Sequence, residues 1–231
     1  MAQRPIFAPL YRGDQYILED YVEFTWHPGL SVKQKQRSIE ELHAEASAKY
    51  GLHRPLEISS KSDNPVGVAL SSFNLKFTTT KNGLTLTVEA AFQGSKVFNK
   101  GGPYRDIFFM QPKDAKRDER LRSSGSLTGF SFFGSEWPLV PRTAFYDWLY
   151  INALMKNSDL YEQAITYGYF TDIEFNPERS VNCQARSVAL YLSLRYRGLL
   201  ESYIKDPVLF RGMYDEHLPE PRHENYHSVL V

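Results

Sequence analysis

Two alternating, threonine-rich runs, Lys76 to Thr80 and Leu84 to Val88, flank the turn Lys81-Asn82-Gly83. An Asn-Gly step between two period-2 runs is a strong short-range hairpin signal, because tight hairpin turns need residues that tolerate positive φ. The second run passes without a linker into Val88-Glu89-Ala90-Ala91-Phe92-Gln93-Gly94-Ser95-Lys96-Val97-Phe98, which reads as a short helix over 88–98. On that helix Glu89, Gln93 and Lys96 are spaced by four and three, so they share a face. Val88, Ala91, Phe92 and Val97 cover the remainder. An acid, an amide and an amine in one line form either a solvated face or the wall of a ligand site. The sequence that follows, Gly101-Gly102-Pro103-Tyr104, has two glycines that allow a ligand close to the backbone, and it favours the second reading.

Around this centre, residues 7–27 read as short strands, ended by Pro28 and Gly29. Ser31 is a helix N-cap, and a helix over 32–49 carries Ile39, Leu42 and Ala46 on one face before Gly51. Residues 55–75 read as irregular, with Asp63-Asn64-Pro65 and Gly67 as turn chemistry. Residues 99–105 form a loop, and the charged stretch 112–125 reads as a solvated helix and turn in preference to a phosphate patch. An apolar strand or packed loop over 130–139 precedes helices at 143–155, 160–168 and 182–200. Residues 201–231 read as an irregular, proline-containing tail. With no repeat and no low-complexity linker, the expectation is one domain over 1–231, with 1–57 as an N-terminal extension packed on it. The class is α+β, mainly helical.

Composition removes several functions. Lysine plus arginine equals aspartate plus glutamate, at 27 each, so no global field draws in nucleic acid and any nucleotide contact must be local. The single cysteine, Cys183, permits no intrachain disulfide, and the six histidines show no metal-ligand spacing with it. No metal or other cofactor is expected. No run approaches the ~18 apolar residues of a membrane span, so no membrane is expected and the location should be cytoplasmic. Phosphate-binding glycine loops, GxSxG, HExxH and CxxC are all absent from the sequence. Aromatic residues at 14% supply either a large core or a platform for a flat base.

Leu70-Ser71-Ser72-Phe73, the hairpin, and Glu89-Ala90-Ala91-Phe92-Gln93-Gly94-Ser95-Lys96 together resemble the signature of the NADAR family. That signature is a Phe-Ser-Asn-Phe element, a short hairpin and Glu-x-x-Phe-Gln-x-x-Lys. Asn182-Cys183-Gln184-Ala185, opening a helix that reaches Leu194-Arg195, is similar to the family's Asn-x-Leu-Gly helix. Ser72 stands where the family has Asn, Thr85 where it has Trp, and no Trp-Gly segment lies among Phe170 to Glu178. The extra segments Trp26 to Leu42 and Gly101 to Phe133 resemble the branch paired with DarT-type toxins, which modify guanine with ADP-ribose.

The resemblance implies a hydrolase that removes ADP-ribose from guanine in DNA or RNA, as the antitoxin of a toxin–antitoxin pair. The alternatives are a non-catalytic ADP-ribose-binding module and an N-glycosidase acting on a small nucleotide-like metabolite. Glu89 is the expected catalytic carboxylate, and Lys96 or Lys35 the amine that attacks the anomeric carbon. Gln93, Ser71, Asn74 and Asn182 are expected on the ribose and amide edges, with Lys61, Gly101 and Gly102 at the diphosphate. Phe92 and Tyr104 are expected to stack on adenine, and Asp106 to line the same site.

Overall fold

The computed structural model describes residues 1–218 except Leu30, Lys81 and Arg179. Residues 219–231 of the expected tail and Lys81 of the hairpin turn therefore lie outside the described residues. The chain opens with β1 (Ala2–Pro9) antiparallel to β2 (Ile17–Phe24), Ala2 facing Phe24 and Pro9 facing Ile17. Helix α1 (Val32–Tyr50) starts where Ser31 Oγ accepts from the Gln34 amide and stops at Gly51, whose φ of 62° needs no β-carbon. β3 (Pro55–Glu57) lies parallel to β9 (Tyr169–Thr171), and the four strands run in the order β2-β1-β9-β3.

Strand alternation gives this sheet two apolar faces. Ile6, Ala8, Val22 and Phe24 pack under Ile39, Leu42 and Ala46 of α1. Phe7, Ile17, Leu56 and Phe170 turn the other way into the main core. Each such buried side chain contributes about 1.5–3 kcal/mol of transfer free energy. The axis of that core is α8 (Gln184–Tyr196), buried from Gln184 through Leu194. It lies against α6 (Ala144–Met155), whose Phe145, Leu149 and Ile151 are fully enclosed. Within this apolar mass the Arg186 guanidinium is paired with Asp147, which also accepts from Tyr214 Oη at 2.6 Å. The buried charges are thus neutralised between α6, α8 and β2, since Glu19 Oε2 also lies 3.8 Å from Arg186 Nε, as burial requires.

The remaining elements build one end of the molecule. Helix α2 (Pro65–Leu70) is followed by the hairpin β4 (Lys76–Thr78) and β5 (Thr85–Thr87), in register from Lys76/Thr87 to Thr78/Thr85. Helix α3 (Val88–Gly94) starts directly at the hairpin, capped by Thr87 Oγ1 on the Ala90 amide. β6 (Lys96–Phe98), β7 (Leu127–Phe132) and β8 (Ser135–Pro138) form a three-stranded antiparallel sheet. Between β6 and β7 stand a 3₁₀ turn, Arg105–Phe109, and the short helices α4 (Pro112–Ala115) and α5 (Arg120–Ser123). α7 (Ser158–Ala164) links α6 to β9, and α9 (Leu200–Lys205) and α10 (Pro207–Glu216) close the described chain.

The α+β class and the hairpin that leads into a helix are as expected. Three expectations need correction. The helix expected over 88–98 ends at Gly94, because Lys96 to Phe98 are recruited as a strand by β7, Lys96 facing Phe130. Residues 55–75, expected to be irregular, contain a strand and α2, whose start is Asn64 Oδ1 accepting from the Val66 amide with Pro65 as first helical residue. The stretch 200–216 is helical rather than irregular: Asp206 caps α10 by accepting from the Val208 and Leu209 amides, and Pro207 occupies the position where a missing N–H costs nothing.

Candidate active site

The hairpin fixes where α3 begins. The Val88 amide donates to Leu75 O and the Glu89 amide to Ser72 O, so residues 71–75 are tied to the first turn of α3. The same loop is held from behind by α8, since the Ser72 amide donates to Gln184 Oε1 at 2.7 Å while Gln184 Nε2 donates to Ile58 O at 2.6 Å. The Glu89 carboxylate, only 5% exposed, accepts from Ser72 Oγ at 3.2 Å and from Gln93 Nε2 at 2.9 Å. Gln93 spends its amide nitrogen on Glu89, and its buried Oε1 has no partner among the described residues. The buried Asn182 Oδ1 is in the same position.

These groups line a cleft of about 680 Å³, within the size range of small-molecule sites. Lys96 reaches it from the first position of β6, with Nζ 5.2 Å from the centre of the Phe92 ring. Burial lowers its pKa to about 8, although the Glu89 carboxylate pulls in the other direction. An amine there is free at neutral pH far more often than an ordinary lysine. Lys61, Lys116 and Arg122 add positive charge to the same cleft, and the Lys116 ammonium also sits 5.5 Å from the centre of Phe73.

Of the residues expected from sequence, Glu89, Lys96, Ser71, Phe92, Gln93, Lys61 and Asn182 line the cleft. The Phe92 ring is also packed against Phe130, Phe145 and Tyr146. Asn74 turns outward and donates to Val68 O at 2.9 Å. Gly101, Gly102, Tyr104 and Asp106 are not among the lining residues. A β-carbon on Gly102 would strike the Lys96 carbonyl, so this glycine serves backbone packing behind the site. Tyr104 Oη is bonded to Ser124 Oγ, and Asp106 is bound by Arg120 Nη2 at 2.6 Å. Lys35 also stands outside the lining, but its ammonium lies 3.3 Å from Glu174, which does line the cleft.

The structure adds residues that sequence reasoning missed. Tyr146 and Asp172 are buried in the cleft wall, with Glu174, Phe175 and Asn176 beside Asp172. Lys116 and Arg122 come from the stretch read as solvated. Gln184 stood in the Asn182-Cys183-Gln184 motif but was not assigned a place in the site. Asp172 follows β9 with no motif around it, and the long-range pairing of β9 with β1 and β3 brings it here.

A family model described as "DarT1-associated NADAR antitoxin" matches residues 2–224. The chain belongs to that family. The match spans the N-terminal sheet, the hairpin, α3 and α8, so the NADAR antitoxin family accounts for the segments outside the common signature as well as those within it. A comparison with curated proteins gives no match. In this NADAR antitoxin no described helix is long and apolar enough to cross a membrane. Among the described residues no group of three histidine, cysteine, aspartate or glutamate side chains could hold a metal ion.

Proposed function

We propose that this NADAR antitoxin is a hydrolase that removes ADP-ribose from guanine bases of nucleic acid in the cytoplasm, reversing the work of a DarT-like toxin. The observation that carries the reading is the presence, in one cleft, of the buried Glu89 carboxylate and the half-buried Lys96 amine. Cleavage of an N-glycosidic bond develops positive charge at the anomeric carbon, which a carboxylate stabilises while taking a proton from the attacking water. Glu89 has the placement for that, because Ser72 and Gln93 fix both of its oxygens. Lys61, Lys116 and Arg122 suit the diphosphate, and the unpartnered Gln93 Oε1 and Asn182 Oδ1 suit donors such as ribose hydroxyls. A second route belongs to Lys96. Its neutral amine attacks the anomeric carbon, the base leaves, and the resulting adduct opens to an imine that water hydrolyses.

The test is incubation with ADP-ribosylated guanosine nucleotides and chromatography for free ADP-ribose. Glu89→Gln should lower turnover by roughly 10²–10⁴ with ADP-ribose affinity little changed. Borohydride added during turnover should trap a covalent adduct in wild type and not in Lys96→Ala if the imine route operates. Binding of ADP-ribose without any release of guanosine would reduce the protein to a binding module.

A further inference from the structure

The cleft contains a second carboxyl group with a different environment. β3 and β9 run parallel, and Thr171 Oγ1 donates to Glu57 Oε2 at 2.6 Å while the Ile173 amide donates to Glu57 Oε1 at 2.9 Å. Both oxygens of the fully buried Glu57 are thus satisfied as acceptors, the arrangement of an ionised carboxylate. Thr171 has given its hydrogen to Glu57, so its contact with His43 Nε2, at 2.8 Å, requires that nitrogen to be the donor. Asp172 is served less well. Its Oδ1 accepts from the Glu174 and Phe175 amides at 3.1 and 3.2 Å, and no described residue hydrogen-bonds its Oδ2. The side chain is 7% exposed and lines the cleft.

A buried carboxyl group that feels the charge of a second, ionised one resists ionising and holds its proton. The hydrogen bonds place the charge on Glu57 and the proton on Asp172. Burial, then the Glu57 charge, drives the Asp172 carboxyl well above its ordinary range. The groups that face it are Glu57 on β3, Glu174 on its own loop, Tyr146 and Tyr150 on α6, Cys183 at the start of α8, and Arg4 on β1. Arg4 is the one cation in that set and does not offset two acids and the burial. Glu89, Tyr146 and Asp172 line the same cleft.

We propose that Asp172 is the acid that protonates the departing base, with Glu57 as the positioning residue that keeps its proton in place. The proposal rests on the hydrolase reading above. As the anomeric C–N bond breaks, its electron pair stays on the base nitrogen, which takes the Asp172 proton. The anomeric carbon bonds the oxygen of a water whose proton passes to Glu89. Base and ADP-ribose leave, and Glu89 returns its proton through solvent to Asp172. The division is that of a glycosidase, one carboxyl group giving a proton to the leaving group and the other taking one from water.

The experiment measures wild type, Asp172→Asn and Glu57→Gln on two substrates across pH. One is ADP-ribosylated guanosine. The other is an ADP-ribose glycoside of 4-nitrophenol, a leaving group that needs no proton. Asp172→Asn should slow guanosine release by roughly 10²–10⁴ and lose the basic limb of the pH profile, while nitrophenol release stays near wild type. Glu57→Gln should stay active and move that basic limb down by about one pH unit or more, because the like charge beside Asp172 is gone. A structural role would slow both substrates alike and leave the limb in place, and that result overturns the proposal. A wild-type basic limb that neither variant moves does so too, even if the nitrophenyl glycoside is not accepted. Should Asp172→Asn not fold, judged by its melting curve, Glu57→Gln alone decides through the limb. No release of guanosine by wild type at any pH defeats the hydrolase reading itself, a separate outcome.

Discussion

Replacing Lys96 by methionine should make this protein more stable at neutral pH while destroying any role of the amine. The reasoning is linkage. In the unfolded chain the lysine holds its proton up to 10.5, its ordinary value, and in the folded chain only up to about 8. Below about pH 8 both states are protonated, and the folded state carries the full cost of a buried ammonium, already reduced by the attraction of Glu89. A displacement of that size corresponds to at most about 3 kcal/mol. Part of the Lys96 side chain faces the open cleft, so solvent screens some of it and the gain will fall short of that limit. Between 8 and 10.5 the unfolded state binds more proton, so wild type gains stability as pH rises through that window and the advantage of the variant shrinks toward zero. Methionine matches the stem in length and fills the place beside Phe92. Urea unfolding of both proteins at about pH 7, 9 and 10 measures this. A variant less stable than wild type near neutrality, or a difference that does not change with pH, refutes the reasoning.

Two further outcomes concern the scaffold. Burial lowers the His43 pKa to about 4, so the unfolded chain binds a proton there that the folded chain does not, and stability falls as pH drops from 6.5 toward 4, by at most about 3 kcal/mol. His43→Gln should flatten that slope, read from urea midpoints at about pH 7 and 5. Asp147→Asn removes the nearer of the two carboxylates that face the buried Arg186, leaving Glu19 Oε2 at 3.8 Å, and should cost up to about 3 kcal/mol in chemical denaturation, whereas Glu19→Gln should cost less.

The local half of the architecture was legible. Asn82-Gly83 announced the hairpin, Ser31 and Gly51 bounded α1, and Glu89 with Gln93 emerged from spacing on a short helix. Lys96 was found through a geometry that does not hold. It reaches the cleft from a strand, and only its closeness in sequence to the end of α3 kept it beside Glu89. The pairing of β6 with β7, Val97 facing Gly129, is a long-range choice that helical spacing cannot reveal. The same limit hid Asp172, which follows a strand of three residues that is placed by β1 and β3, both distant in sequence. Gly101 and Gly102 misled for a different reason. Glycine marks close approach of something to the backbone, and here the neighbours are Tyr104 and the Lys96 carbonyl rather than a ligand.

The pairing of Phe7 with Phe170 has a consequence for how the protein comes to be competent in the cell. β1 ends at Pro9 and β9 begins at Tyr169, so the strand that must lie beside β1, and that leads into the Asp172 loop, is synthesised long after it. A nascent chain can form the hairpin and α3 before β9 exists, since those contacts are local, but it cannot assemble the whole cleft until β9 has been made. A chain interrupted before that point would have no working site. Competence would therefore appear only once β9 has closed on β1 and β3, with a delay set by that long-range pairing.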